Sequence, residues 1–315
     1  LSNIIYKNPL FVNDYIIDTR QFRPLLNDKI VEEFEQRVAE FVGAKYACSL
    51  HSATFAIFLC LNELEKQTIT IPSIIPPVVP SAILTSGQNL NFNDNIDWVG
   101  HSYVLHDFGD YKIIDSAQQL SKNQFVDQAN DEDLMIFSFY PTKPVGSSDG
   151  GMVVSNDKEK INRLKMMSRY GTSFEDNSWE RKIAVPGWKL YMNSIQAYIA
   201  NENMNLLEEK TERYSEICEQ YNQAFGLENT SKHLYRINVV NNDQFIHDMK
   251  ERGIQCGVHY RAAHMMDCYK LKHLSLPSSE YESSSTVSIP YHEKLTKEQI
   301  EYIIKEVKPH VISSH

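Results

Sequence analysis

Short runs of β-branched and aromatic residues alternate with helical stretches through the first part of this chain. TITI (68–71), YKII (111–114), LMIFSF (134–139) and GMVVS (151–155) are each bounded by turn-forming residues and read as strands. Residues 29–42 carry Ile30, Phe34, Val38 and Phe41 at helical spacing, with Gly43 placed as a C-cap. A second helix, apolar on most sides, is predicted from Ser52 to about Glu65, and a third over residues 157–168. This alternation predicts an α/β domain built on a mainly parallel sheet.

The pattern changes further along. A long helix is predicted over 203–225, with Leu207, Tyr214, Ile217, Tyr221 and Phe225 on one side and Gly226 at its end. Then come a strand (234–240), a helix (243–252), a strand (254–259) and a last helix striped by Ile300, Ile303, Ile304 and Val307. That order predicts a smaller α+β domain. The expected division is 1–204, a large domain with an N-terminal arm, and 205–315, a small domain that includes the long connecting helix. A length of 315 residues suits two such units.

Composition excludes several classes. With 42% hydrophobic and 23% charged residues the chain is neither disordered nor fibrous. A formal charge of -10 opposes nucleic-acid binding, which needs a basic footprint. It leaves room for a small anionic ligand, because such a ligand feels local donors. The five cysteines, Cys48, Cys60, Cys218, Cys256 and Cys268, show no C-x-x-C spacing. Neither a disulfide framework nor a zinc site is expected, and a reducing cytoplasm is the default. The start, LSNIIYKNPLFVND, does not read as a signal peptide. The longest apolar run, 71–84, is broken by four prolines, so no membrane span is expected.

The chemistry gathers in FSFYPTKPVGSSDGG (137–151), where Lys143 follows a hydrophobic strand and sits among Pro, Gly and Ser. Strand ends in α/β sheets are where reactive groups collect. A lysine alone there would be a solvated loop residue. Upstream, IIDSAQQ (113–119) puts Asp115 directly after a buried strand, where an acid needs a partner. Further upstream, Ser52, Ala53 and Thr54 open a helix. An N-cap accounts for the hydroxyls almost as well as a phosphate does, but free N–H groups, a positive dipole end and hydroxyl donors are what a phosphate needs. Phosphate cup, strand-end acid and loop lysine are together the parts that pyridoxal phosphate requires.

With those residues in view, the chain resembles the DegT/StrS group of nucleotide-sugar aminotransferases, fold-type-I enzymes of the aspartate-aminotransferase kind. The resemblance runs through FEQRVAEFVGAKYACSLHSAT (34–54), IIDSAQ, FSFYPTK, VPGWKLYMNSIQAYIA (185–200), GIQCGVHYRAAHMMDCY (253–269) and VSIPYHEKLTKEQI (287–300), in family order. It implies a homodimer with shared active sites and Lys143 as the Schiff-base lysine that shuttles the proton. It implies Asp115 on the pyridine nitrogen, Gln118 on the ring hydroxyl, and Ser138, Thr54 and the backbone at Ala53 on the phosphate. Lys189 would come from the partner subunit to complete the phosphate site. His259, Tyr260, His264 and His292 would border the sugar-nucleotide site. The implied reaction moves an amino group from glutamate to a keto-sugar nucleotide, through the pyridoxamine form and with release of 2-oxoglutarate.

Three positions depart from the family pattern. Ala53 replaces a usual Gly, and Pro76 stands where an aromatic residue usually stacks on the cofactor. The stretch between the strand at 90–93 and Asp115 has no room for the usual crossover helix, and is only just able to hold a parallel strand. Two rival functions follow. A sugar dehydratase of the same family would carry His in place of Lys143. A non-catalytic binding protein would not need Lys143, Asp115 and Gln118 together. The spacing of His259 and His264 suggests metal, but no acidic third ligand is near, so no metal is expected. A satisfied wall position accounts for those histidines about as well as a substrate contact. Cysteines and paired methionines (Met166, Met167; Met265, Met266) are expected in packing.

Overall fold

The structure, a computed structural model, describes residues 4–6, 25–26, 28–172, 182–271 and 274–312. Most of the N-terminal stretch whose character was considered above lies outside them. In chain order the elements are α1 (Lys29–Val42), β1 (Tyr46–Leu50), α2 (Ala53–Asn62), β2 (Thr68–Pro72), α3 (Val78–Thr85), β3 (Asn89–Asn93), β4 (Tyr103–Asp107), β5 (Lys112–Asp115), α4 (Gln124–Gln128), β6 (Leu134–Ser138), β7 (Gly151–Ser155) and α5 (Lys158–Ser168). They continue with α6 (Ser194–Asn205), α7 (Leu207–Phe225), β8 (Tyr235–Asn238), α8 (Asn242–Glu251), α9 (Pro277–Ser285), β9 (Thr286–Ile289) and α10 (Lys297–Val307).

Five strands form one sheet in the order β1-β7-β6-β5-β4, with its central strands buried on both faces. Along β6, Leu134 and Ile136 enter one apolar cluster while Met135 and Phe137 enter another. The strand period of two thus feeds the α2–α3–α5 side and the α1–α6 side in turn. Local chemistry fixes the flanking helices. Asp28 caps α1 by accepting from the Ile30 amide at 3.0 Å, and Gly43 ends it in the left-handed region at φ 82°. A third cluster joins α7, α8 and α10 to β8 and β9, and takes in Ile4.

The α/β class stands, but the sheet is not mainly parallel. Only β5–β6 pair parallel in it; β1–β7, β6–β7 and β4–β5 are antiparallel, and β2–β3 form a separate parallel pair. The short connection explains the β4–β5 pair. Residues 94–102 lead into β4 and 108–111 lead out. No helix fits, so β4 folds back on β5 as a hairpin and is not a parallel strand. Gly109, at φ 86°, turns the chain, and its amide donates to Asp107 Oδ1 at 2.8 Å.

Other expectations shift in detail. The second helix stops at Asn62, and the long helix is two, parted at Leu206. Residues 254–259 form isolated bridges at Ile254 and Gly257 and no strand. The proline-broken run contains α3. Cys48, Cys60 and Cys218 are buried as expected, while Cys268 and Met265 are exposed.

Candidate active site

Sheet direction brings the predicted residues to one edge. Because β5 and β6 are parallel, Asp115 and Ser138 finish at the same end of the sheet, with Asp115 opposite Ile136. The antiparallel β7 starts at that edge, with Gly151 opposite both Ser138 and Leu50, the last residue of β1. Two residues after Leu50, Ser52 caps α2 and accepts from the Phe55 amide at 3.4 Å. The first N–H groups of α2 therefore open at the same edge. The loop bearing Lys143 is cinched at its base, where Phe139 N–H donates to the Gly150 carbonyl at 2.9 Å and Ser147 N–H to the Phe139 carbonyl at 2.8 Å.

Above this edge lies a cavity of about 590 Å³. Of the predicted residues, Ser52, Ala53, Thr54, Pro76, Asp115, Gln118, Ser138, Lys143, His259 and Tyr260 line it. Lys143 is half-buried, with Nζ 3.2 Å from His233 Nε2. Desolvation pushes its amine down to about 8, a fall limited by the Asp115 carboxylate. Asp115 is buried and accepts from the Ala117 amide (2.9 Å) and the Tyr103 hydroxyl (3.0 Å). Burial raises its pKa; those two donors and Lys143 oppose the rise. Gln118 accepts from the Gly100 amide at 2.8 Å and donates to the Tyr260 hydroxyl at 3.1 Å, so its amide is fixed in one orientation.

Lys189, His264 and His292 do not line this cavity. Lys189 bridges to Arg169, and its Nζ lies 5.8 Å from the Tyr170 ring centre. His264 is buried behind the wall, 2.6 Å from Ser73 Oγ and 3.5 Å from Glu280 Oε1. His292 is buried too and donates to the Ile5 carbonyl at 3.2 Å. Both histidines spend a ring nitrogen on contacts outside the cavity. Within the 185–200 segment, residues 185–193 are not helical, and α6 begins at Ser194. Among the described residues no group of His, Cys, Asp and Glu is arranged to hold a metal ion, and no helix is long and apolar enough to cross a membrane.

Tyr6, Trp98, Asp149 and His233 also line the cavity, and Tyr103 stands beneath Asp115; none was picked out from sequence. Asp149 had a signal available, since it lies inside the 137–151 segment. Burial raises its pKa as well. His233 arrives from the segment before β8, where Ser231 Oγ accepts from the His233 amide at 3.0 Å. Tyr6 stacks on His259 with ring centres 4.9 Å apart.

Comparison with known proteins decides the family. A sequence profile described as the DegT/DnrJ/EryC1/StrS aminotransferase family matches residues 13–82 and 113–308. The chain belongs to this family. DegT/DnrJ/EryC1/StrS membership makes it an aminotransferase and brings pyridoxal phosphate as the cofactor. The chain is 25% identical over 337 residues to a UDP-4-amino-4,6-dideoxy-N-acetyl-beta-L-altrosamine transaminase of Campylobacter jejuni, with 89% of each chain covered. It is 24% identical to the spore coat polysaccharide biosynthesis protein SpsC of Bacillus subtilis, with 88% of each covered. In fold it is similar to Helicobacter pylori PseC, an aminotransferase of pseudoaminic acid biosynthesis. That match has a TM-score of 0.81 at 18% identity, over 97% of this chain and 98% of that one.

The donor set suits that cofactor. The start of α2 offers open amides and the hydroxyl of Thr54 to a phosphate, with Ser138 beside it. Gly151 makes the cup possible: a Cβ there would stand 2.4 Å from Ala53 N. The buried carboxylate suits a protonated ring nitrogen, and an amine held near 8 is a competent nucleophile near neutral pH.

Proposed function

We propose that the protein transfers an amino group from glutamate to the ketone of a sugar nucleotide, in deoxy amino sugar formation. What carries the proposal is the convergence of Lys143, Asp115, Gln118 and the α2 N-terminus on one cavity. The names of the relatives support the choice of substrate class. Bound pyridoxal phosphate supplies an aldehyde carbon that exchanges with amines and a ring that accepts electrons. Asp115 keeps a cationic ring nitrogen paired in a buried place. Gln118 orients the ring hydroxyl, while Ser52, Ala53, Thr54 and Ser138 bind the phosphate and Pro76 packs beside the ring. Lys143 is the covalent anchor. Its Nζ, freed when the donor amine binds, would be the base placed to hold and move the proton of the donor Cα. His259 and Tyr260 meet the sugar-nucleotide side of the cavity.

This function entails a homodimer in which Lys189 serves the neighbouring subunit's phosphate, and two units divided at 204/205. A cytoplasmic setting goes with its five free cysteines. The test is a panel of UDP-, GDP- and dTDP-linked keto sugars incubated with glutamate and the loaded enzyme. A product about one mass unit heavier than the keto sugar nucleotide, as replacing a ketone by a primary amine requires, supports the proposal. Glutamate converted to 2-oxoglutarate with no amination of any keto sugar nucleotide overturns the substrate class.

A further inference from the structure

The β4–β5 hairpin does more than shorten a connection. Its register sets Tyr103 directly opposite Asp115, and opposite residues in an antiparallel pair share a face. The Tyr103 hydroxyl thereby reaches Asp115 Oδ2 at 3.0 Å. The phenol is held from behind. It is buried, its ring centre lies 4.6 Å from that of Trp98, and the Trp98 indole N–H donates to the Ile74 carbonyl at 3.0 Å. Burial and the neighbouring carboxylate hold the phenol in its protonated form, so it acts as a donor.

The groups facing Asp115 come from several elements: Tyr103 on β4, the Ala117 amide after β5, Lys143 from the loop after β6, and Tyr260 from the C-terminal part. Among the described residues, Tyr103 and Ala117 donate to the carboxylate, one to each oxygen. Tyr103 also falls in residues 83–112, between the two segments that match the family profile. The general family pattern therefore says nothing about it.

We propose that Tyr103 is a positioning residue for Asp115, its hydroxyl keeping the carboxylate ionised and turned toward the cofactor's ring nitrogen. The hairpin that replaces the crossover helix is what delivers it. The proposal rests on Asp115 being the ring-nitrogen partner.

The experiment compares Tyr103→Phe, Asp115→Asn and the double variant. Cofactor affinity is measured by equilibrium dialysis across pH, and melting of the cofactor-free protein is recorded beside it. Phe fills the same space, so melting should stay close to wild type. Tyr103→Phe should weaken binding about ten-fold, the scale of one hydrogen bond to a charged group. Its acid limb should move to higher pH, because Asp115 loses a donor that lowers its pKa. In the Asp115→Asn background the same change should add little. An unmoved acid limb, or a loss that adds fully to that of Asp115→Asn, overturns the role of Tyr103. Wild-type affinity in Asp115→Asn itself instead removes the premise, and the proposal falls with it.

Discussion

Gly151→Ala probes the phosphate cup through a position that does not itself line the cavity. Gly151 opens β7 between Ser138 and Leu50. An added Cβ would lie 2.4 Å from Ala53 N and the Ser52 carbonyl carbon, and 2.6 Å from the Ser52 oxygen. All three are backbone atoms, so no side-chain rotation gives relief. Ordinary contact begins at 3.4 Å, so α2 must retreat by about 1 Å, the difference between 3.4 and 2.4 Å. Overpacking of this kind costs roughly 1–3 kcal/mol. The retreat also carries the α2 amides away from Ser138 and Lys143. If a similar energy is lost from phosphate binding, affinity falls roughly ten- to hundred-fold, at about 1.4 kcal/mol per decade. Equilibrium dialysis against pyridoxal phosphate, with thermal melting of the cofactor-free protein, reads both effects. Gly226→Asn is the control: its Cβ would meet nothing within 4 Å, and Asn tolerates the left-handed backbone there. Gly151→Ala binding the cofactor as tightly as wild type would refute the packing argument.

Further outcomes concern three other side chains. Covalent capture of pyridoxal by the cofactor-free protein should rise with pH around a midpoint near 8, the value to which burial lowers Lys143. Because that folded value lies below the unfolded lysine value of about 10.4, buried Lys143 costs stability below pH 8. That cost is relieved as pH climbs from 8 through the ordinary lysine range, and a capture midpoint at the free-lysine value would contradict the desolvation argument. Glu35→Ala removes a buried acceptor of the Ser49 amide (2.7 Å) and hydroxyl (2.8 Å) and the partner of Lys165. Denaturant unfolding should show a loss of roughly 2–4 kcal/mol, with cofactor affinity little changed. Lys189→Ala should lose cofactor on dialysis. Mixed with Lys143→Ala and allowed to exchange subunits, it should regain roughly a quarter of wild-type activity, since half the dimers then hold one intact site. No recovery would place Lys189 in its own chain's service.

The sequence made Lys143, Asp115, Gln118 and Ser138 legible because each stands next to a strand whose apolar run is visible. Parallel strand ends then bring them together with no further information. Helices with a clean stripe and cap, such as α1 and α10, were legible for a similar reason. Tyr103 and His233 were not. Tyr103 depends on the register of a hairpin hidden inside a stretch that seemed merely short, and His233 on a C-terminal segment arriving from 90 positions away. The sheet's direction was misjudged because apolar runs signal burial on two faces, and β1, β6 and β7 achieve that burial in antiparallel pairs. The helix α3 was hidden by prolines, one of which, Pro80, sits in its first turn, where a missing N–H costs little. His264 and His292 stand in motifs the resemblance marks, yet their ring partners include Ser73 and the Ile5 carbonyl, both supplied by distant parts of the chain.

The most direct measurement is reduction of the pyridoxal phosphate-loaded protein with borohydride, followed by peptide mapping by mass. The adduct is expected on the peptide that contains Lys143, and prior incubation with glutamate should abolish it as the amine displaces the lysine. An adduct on another lysine, or one that glutamate leaves untouched, would contradict an aminotransferase site built around Lys143.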